Sequence, residues 1–117
     1  MTYNNVKLNL YRQAAEEEIR NLEFEMEEKY EDIEIEEEFL QNLKKEFAEI
    51  EKDLDNIGQL TTYNEDDFLE LQEEKGWVLQ QILDTKEKLE DLRLEYREYK
   101  EQYESITYNL CDSYEYF

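Results

Sequence analysis

Residues 19–57 read IRNLEFEMEEKYEDIEIEEEFLQNLKKEFAEIEKDLDNI, and their spacing decides the fold. Ile19, Met26, Ile33, Leu40, Phe47 and Leu54 recur every seven residues without a gap. A second row lies three positions on: Leu22, the polar Lys29 and Glu36, then Leu43, Ile50 and Ile57, and it extends backwards through Ala15 to Leu8. Apolar residues at positions a and d of a heptad form one stripe on a helix, and such a stripe is stable only when buried against another helix.

The second half of the chain offers that partner. Phe68, Lys75, Ile82, Leu89, Tyr96, Tyr103, Leu110 and Phe117 repeat by seven, with Leu71, Val78, Thr85, Leu92, Tyr99, Ile106 and Ser113 beside them. Gly58 follows Ile57 where a left-handed cap would end the first helix. Thr62 and Glu65 have capping-box spacing, Asn64 is a second candidate cap, and Glu65, Asp66 and Asp67 suit the first turn of a helix dipole. The expectation is a single all-α domain: arm one over about 5–57, a connector at 58–64 and arm two over about 65–110, folded as a long antiparallel helical hairpin or coiled-coil-like bundle.

Each arm of roughly 50 residues would span ~75 Å with a thin core. A kink, a third helix or a dimer would bury more, and the segment up to about Arg20 is a candidate for a short helix of its own. Gly76 is a candidate kink or close helix crossing, with Trp77 expected near Phe47. Lys29, Glu36, Lys75 and Thr85 interrupt the seams, either fixing register or marking where pairing opens. Tyr96, Tyr99 and Tyr103 read as core. The aromatics at Tyr108, Tyr114, Tyr116 and Phe117 read as core or as a self-association patch.

The 117 residues include 34 acids and 13 bases, a net charge of −21. That balance opposes direct binding to nucleic acid or to an anionic membrane. Disorder is the rival reading of such a charge, but Leu, Ile, Val and Phe make up 29 residues, about a quarter of the chain and above the roughly 20% typical of disorder. There is no His, and Cys111 is the single thiol, so the usual general base, metal ligands and any intramolecular disulfide are missing, a bridge between two chains being the exception. With no calcium loop, phosphate loop or nucleophile elbow either, we assign no catalytic or metal-binding residue, expect no cofactor, and read the chain as a non-enzyme. The opening residues lack a basic and apolar leader pattern, and no apolar run reaches 18 residues, so a cytoplasmic protein is expected.

The charge is concentrated. Between Glu16 and Glu38 there are 13 carboxylates and two bases, Arg20 and Lys29, giving −11 over 23 residues. That is one charge per ~3 Å of helix axis, close to the one phosphate per ~3.4 Å of a DNA strand. Arm two, from Glu65 to Glu104, is milder, with 14 acids and six bases. A solvated outer face would explain acids mixed with bases, but like charges at i,i+4, such as Glu23/Glu27, Glu27/Glu31 and Glu34/Glu38, weaken a helix. Phe24 and Ile35 fall on the outer face three turns apart, which suggests a contact surface or a covering helix. The candidate partner-binding residues are Glu16, Glu17, Glu18, Glu23, Phe24, Glu27, Glu28, Glu31, Asp32, Glu34, Ile35, Glu37 and Glu38.

The opening Met1-Thr2-Tyr3-Asn4-Asn5-Val6, followed by Tyr11 and Glu16 in an acidic helix, resembles the start of the overcome-restriction (Ocr) proteins of short-tailed coliphages. The resemblance covers roughly 16 residues and extends to acidity and length. After Glu18 the regular heptads depart from it. It implies an all-helical dimer whose carboxylates stand in for the phosphates of bent duplex DNA, occupying the DNA channel of a defence enzyme.

Two functions therefore stand side by side. One is a phage-type acidic DNA mimic that inhibits a host DNA-binding defence enzyme (restriction, CRISPR or related) by filling its DNA groove. Its partner would be a basic DNA-binding protein or nucleoprotein complex met in the host cytoplasm, and the mimic itself would be a homodimer. The other is a structural or adaptor coiled coil that binds a partner helix through its seams. A sink for a basic protein is a third possibility on the same charge.

Overall fold

The computed structural model describes residues 3–60, 62 and 64–114, with side chains described for 6–60, 62 and 64–110. The expectations for Ser113, Tyr114, Tyr116, Phe117, the Cys111 thiol and the side chains of residues 1–5 lie outside these. Two helices carry the fold, α1 (Tyr3–Gly58) and α2 (Glu65–Tyr114), with no strand among the described residues. The molecule is an all-α helical hairpin. α1 has no Pro and no Gly before Gly58, so nothing ends a helix near Arg20, and the separate N-terminal helix does not form. α2 continues through Gly76 in the same way.

The turn differs from its sequence reading. No described Gly has positive φ, so Gly58 is not a left-handed cap. It is the last residue of α1, which closes through tight turns: the amide of Gln59 donates to the carbonyls of Asp55 (3.2 Å) and Asn56 (3.3 Å), and that of Leu60 to Ile57 (3.1 Å). Glycine permits the left-handed conformation without requiring it. At the other end Asn64 caps α2, its Oδ1 accepting from the Asp66 amide at 2.9 Å while its carbonyl receives the Phe68 amide at 3.2 Å. Asn64→Ala should cost ~1 kcal/mol in urea unfolding, whereas Thr62→Ala, at an exposed bend, should change little.

The chain gathers into two compact units, residues 1–32 with 92–117, and residues 33–91. In the first, the ammonium of Lys29 meets the Glu95 carboxylate at 2.8 Å, the Tyr103 hydroxyl donates to Glu23 at 3.3 Å, and Tyr30 leans on Tyr96 with ring centroids 6.4 Å apart. Leu22 and Leu110 are buried there, with Tyr96, Tyr99 and Tyr103 half-buried as core residues. In the second, Lys88 meets Glu36 at 2.7 Å, and Ile33, Leu40, Leu43, Ile50, Val78, Ile82 and Leu89 are buried. From Glu23/Tyr103 to Lys29/Glu95 in the first unit, and from Glu36/Lys88 to Phe47/Lys75 in the second, the numbers rise on α1 as they fall on α2, so the helices run antiparallel. Among the described residues, every buried side chain, Thr85 included, sits at a seam position.

The four seam interruptions are all accommodated. Lys29 and Glu36 take their ion pairs from Glu95 and Lys88, which lie just beside the seam of α2. Lys75 rests over the Phe47 ring, 5.5 Å from its centroid, worth roughly 0.5–1 kcal/mol. The place expected for Trp77 is thus filled by Lys75, and Trp77 is 60% exposed. The Thr85 hydroxyl donates to its own helix at the Gln81 carbonyl, 2.7 Å away.

The two ion pairs are sign-reversed and offset by seven residues on both helices. Slipping α2 by one heptad would set Lys29 against Lys88 in one direction and Glu36 against Glu95 in the other. Like charges at the seam penalise either slip, so these residues fix register. Lys29→Glu should therefore destabilise the hairpin, and adding Glu95→Lys should restore it, with a coupling of ~0.5–1 kcal/mol in a double-mutant cycle. The hydrogen bond that the Lys29 ammonium donates to Glu95 holds its pKa above the ordinary 10.5. That contribution is complete below pH 10.5 and is lost as pH rises through the raised value.

Candidate partner-binding face

Helical geometry sorts the predicted site residues by heptad position. Positions b, c and f point away from the seam, and e and g flank it. In the first unit Glu17, Phe24, Glu27, Glu28 and Glu31 occupy outer positions, and all are exposed. In the second unit Glu34, Ile35 and Glu38 do the same. Phe24 is 66% exposed and Ile35 63%, so neither is covered by a helix among the described residues.

The remaining predicted residues flank the seam. Glu18, Glu23 and Glu37 are exposed, while Glu16 and Asp32 are half-buried. Glu23 accepts the Tyr103 hydroxyl, so it belongs partly to the packing of its own unit. Two exposed aromatics beside the run were not anticipated: Tyr30, which leans on Tyr96, and Phe39, next to the buried Leu40. Both lie at e or g positions, where a large ring reaches past the seam. That assignment was available from the heptads alone.

The bases decide the character of the face. Lys29, at a d position, turns into the seam and binds Glu95, leaving its side chain 24% exposed. Arg20 is exposed. One of the run's two cations is therefore withdrawn from the outer surface, while the b, c and f carboxylates stay in solvent. Neighbouring carboxylates on a helix point radially outwards and do not converge. Among the described residues, no group of three or more His, Cys, Asp or Glu side chains is placed to hold a metal ion. In each unit the outer positions of α1 offer carboxylates beside an apolar point, Phe24 in the first and Ile35 in the second, suited to a cationic partner. Among the described residues no helix is long and apolar enough to cross a membrane. Compared with protein-family models, curated proteins and solved structures, the chain finds no match.

Proposed function

We propose that this protein is an acidic DNA mimic of the phage type, which inhibits a host DNA-binding defence enzyme by occupying its DNA groove. One observation carries the reading. Glu17, Glu27, Glu28, Glu31, Glu34 and Glu38 face outwards into solvent, while Lys29 and Glu36 turn into the seam, so the outer positions of the run carry six carboxylates and the one base Arg20. A groove lined by Lys and Arg for phosphates is complementary to such a face. Phe24 and Ile35 supply apolar contacts that phosphates lack.

The alternative, an adaptor that binds a partner helix through the seams, has less support. Leu22, Leu40, Leu43, Val78 and Leu89 are already buried within the chain, and a partner would have to displace one helix to reach them. The test is affinity capture from a bacterial lysate with excess duplex DNA as competitor. A DNA-binding enzyme captured by the native chain, displaced by DNA and no longer captured by Glu27→Lys/Glu31→Lys/Glu34→Lys is the expected result. Capture that DNA does not disturb would count against mimicry.

A further inference from the structure

The turn brings together two acidic stretches that lie apart in the sequence. Residues 46–57, at the end of α1, hold five acids and one base, and residues 65–74, at the start of α2, hold six acids and no base. The hairpin lays them side by side within the second unit. Between them runs a groove of about 610 Å³. Ile57 and Leu71 form its apolar floor, and the carboxylates of Asp53, Asp67, Glu70 and Glu74 stand around it. Both floor residues occupy d positions of the seam and are only half-buried, whereas the next d positions, Ile50 and Val78, are buried. The seam is thus left uncovered at its last turn.

No base of the hairpin fills the groove. Lys52 is exposed at an outer f position, and Lys75 is drawn over the Phe47 ring. Among the described residues no ion pair engages the four carboxylates. A complementary ligand is therefore both cationic and apolar. It is also elongated, because among the described residues no three acids are placed to hold a single metal ion. Asp67, Glu70 and Glu74 share one face of α2, with axial steps of ~4.5 and ~6 Å. A triamine with three and then four methylenes between its nitrogens sets them roughly 5 and 6 Å apart when extended. Its methylenes can lie on Ile57 and Leu71, as a lysine stem lies on apolar surface, while Asp53 adds a carboxylate from α1.

We propose that the groove beside the turn binds a linear aliphatic polyamine of the spermidine class. The carboxylates recognise its ammonium groups, and the open end of the seam recognises the methylenes between them. The site shares no residue with the outer face of α1, and it does not depend on the proposed inhibitory function.

Isothermal titration calorimetry of spermidine into the full chain, at physiological salt and with no target present, tests it. One saturable site per chain is expected. Asp53→Asn/Glu70→Gln/Glu74→Gln should weaken it at least ~10-fold with the helical circular dichroism intact, because all three side chains are exposed. Glu87→Gln/Glu90→Gln/Asp91→Asn, which removes the same charge from exposed positions further along α2, should leave it within about 2-fold. Hexaamminecobalt(III), a compact trivalent cation without methylenes, should bind at least ~10-fold more weakly than spermidine. Absence of saturable binding overturns the proposal. So does equal weakening by the two triple variants, or equal affinity for the two cations, since either result means a diffuse ion atmosphere rather than a site.

Discussion

Raising salt from about 50 to 200 mM should weaken binding to the target by roughly 10²–10³-fold. The magnitude follows from the outward face of α1. Six carboxylates there, Glu17, Glu27, Glu28, Glu31, Glu34 and Glu38, sit at outer positions and are exposed. If each replaces one phosphate, a strand-like slope of about −0.7 per charge gives a loss of some 2.5 decades over that fourfold change. Binding through apolar seams would shift far less, since ionic strength acts on charges and scarcely on buried Leu and Ile. Titration calorimetry or fluorescence anisotropy at four salt concentrations measures the slope. Glu27→Lys/Glu31→Lys/Glu34→Lys should flatten it by at least ~0.7 for each carboxylate replaced. A slope near zero for the native chain would remove the mimic reading altogether.

The second large effect concerns the hairpin itself. Leu89→Asp should abolish most helical circular dichroism at neutral pH. Leu89 is 1% exposed at a seam position, so the substitution removes the packing of a buried leucine, worth about 2–5 kcal/mol, and adds an unpaired carboxylate in its place. The sum approaches or exceeds the roughly 5–15 kcal/mol that usually separates folded from unfolded domains. Leu94→Asp, five residues on, replaces a leucine that is 51% exposed at an outer position, and should stay within about 0.5 kcal/mol of the native chain. Equal damage at both sites would show that the seam assignment is wrong.

The fold was legible because a heptad repeat states both the secondary structure and the buried face. Leu22, Leu43, Val78 and Leu89 could be named as core from spacing alone, and they are buried. What a single helix cannot state is which residue stands opposite. A kink or close helix crossing at Gly76 would bring Trp77 near Phe47, yet the register sets Lys75 there. The signal for the true register was present in the oppositely ordered pairs Lys29/Glu36 and Lys88/Glu95, each spaced by seven. The turn was less readable. Asn64, Thr62 and Gly58 all have capping chemistry, and the choice among them depends on where the chain must reverse.

The candidate face was legible to the same degree. Heptad position separates the solvated outer carboxylates from those beside the seam, whereas the d position of Lys29 alone leaves open whether it fixes register or marks an opening; it turns into the seam and binds Glu95. Glu16 and Asp32 were counted as surface on charge alone, while their e and g positions bring them half under cover. Charge density identifies a stretch, but only geometry divides it into a face and its flanks.

The antiparallel register also sets an order of assembly. Lys88 and Glu36 are 52 residues apart along the chain, whereas Tyr103 and Glu23 are 80 apart. Closing a loop costs more entropy the longer it is, but once an inner pair has formed, each outer pair closes only a few further residues. Folding should therefore begin beside the Asn64 turn and zip towards the chain ends. Leu43→Ala should act mainly by slowing folding, and Leu22→Ala mainly by speeding unfolding, as stopped-flow kinetics would record. The same distance from the turn that makes the first unit the last to form also makes it the first to open.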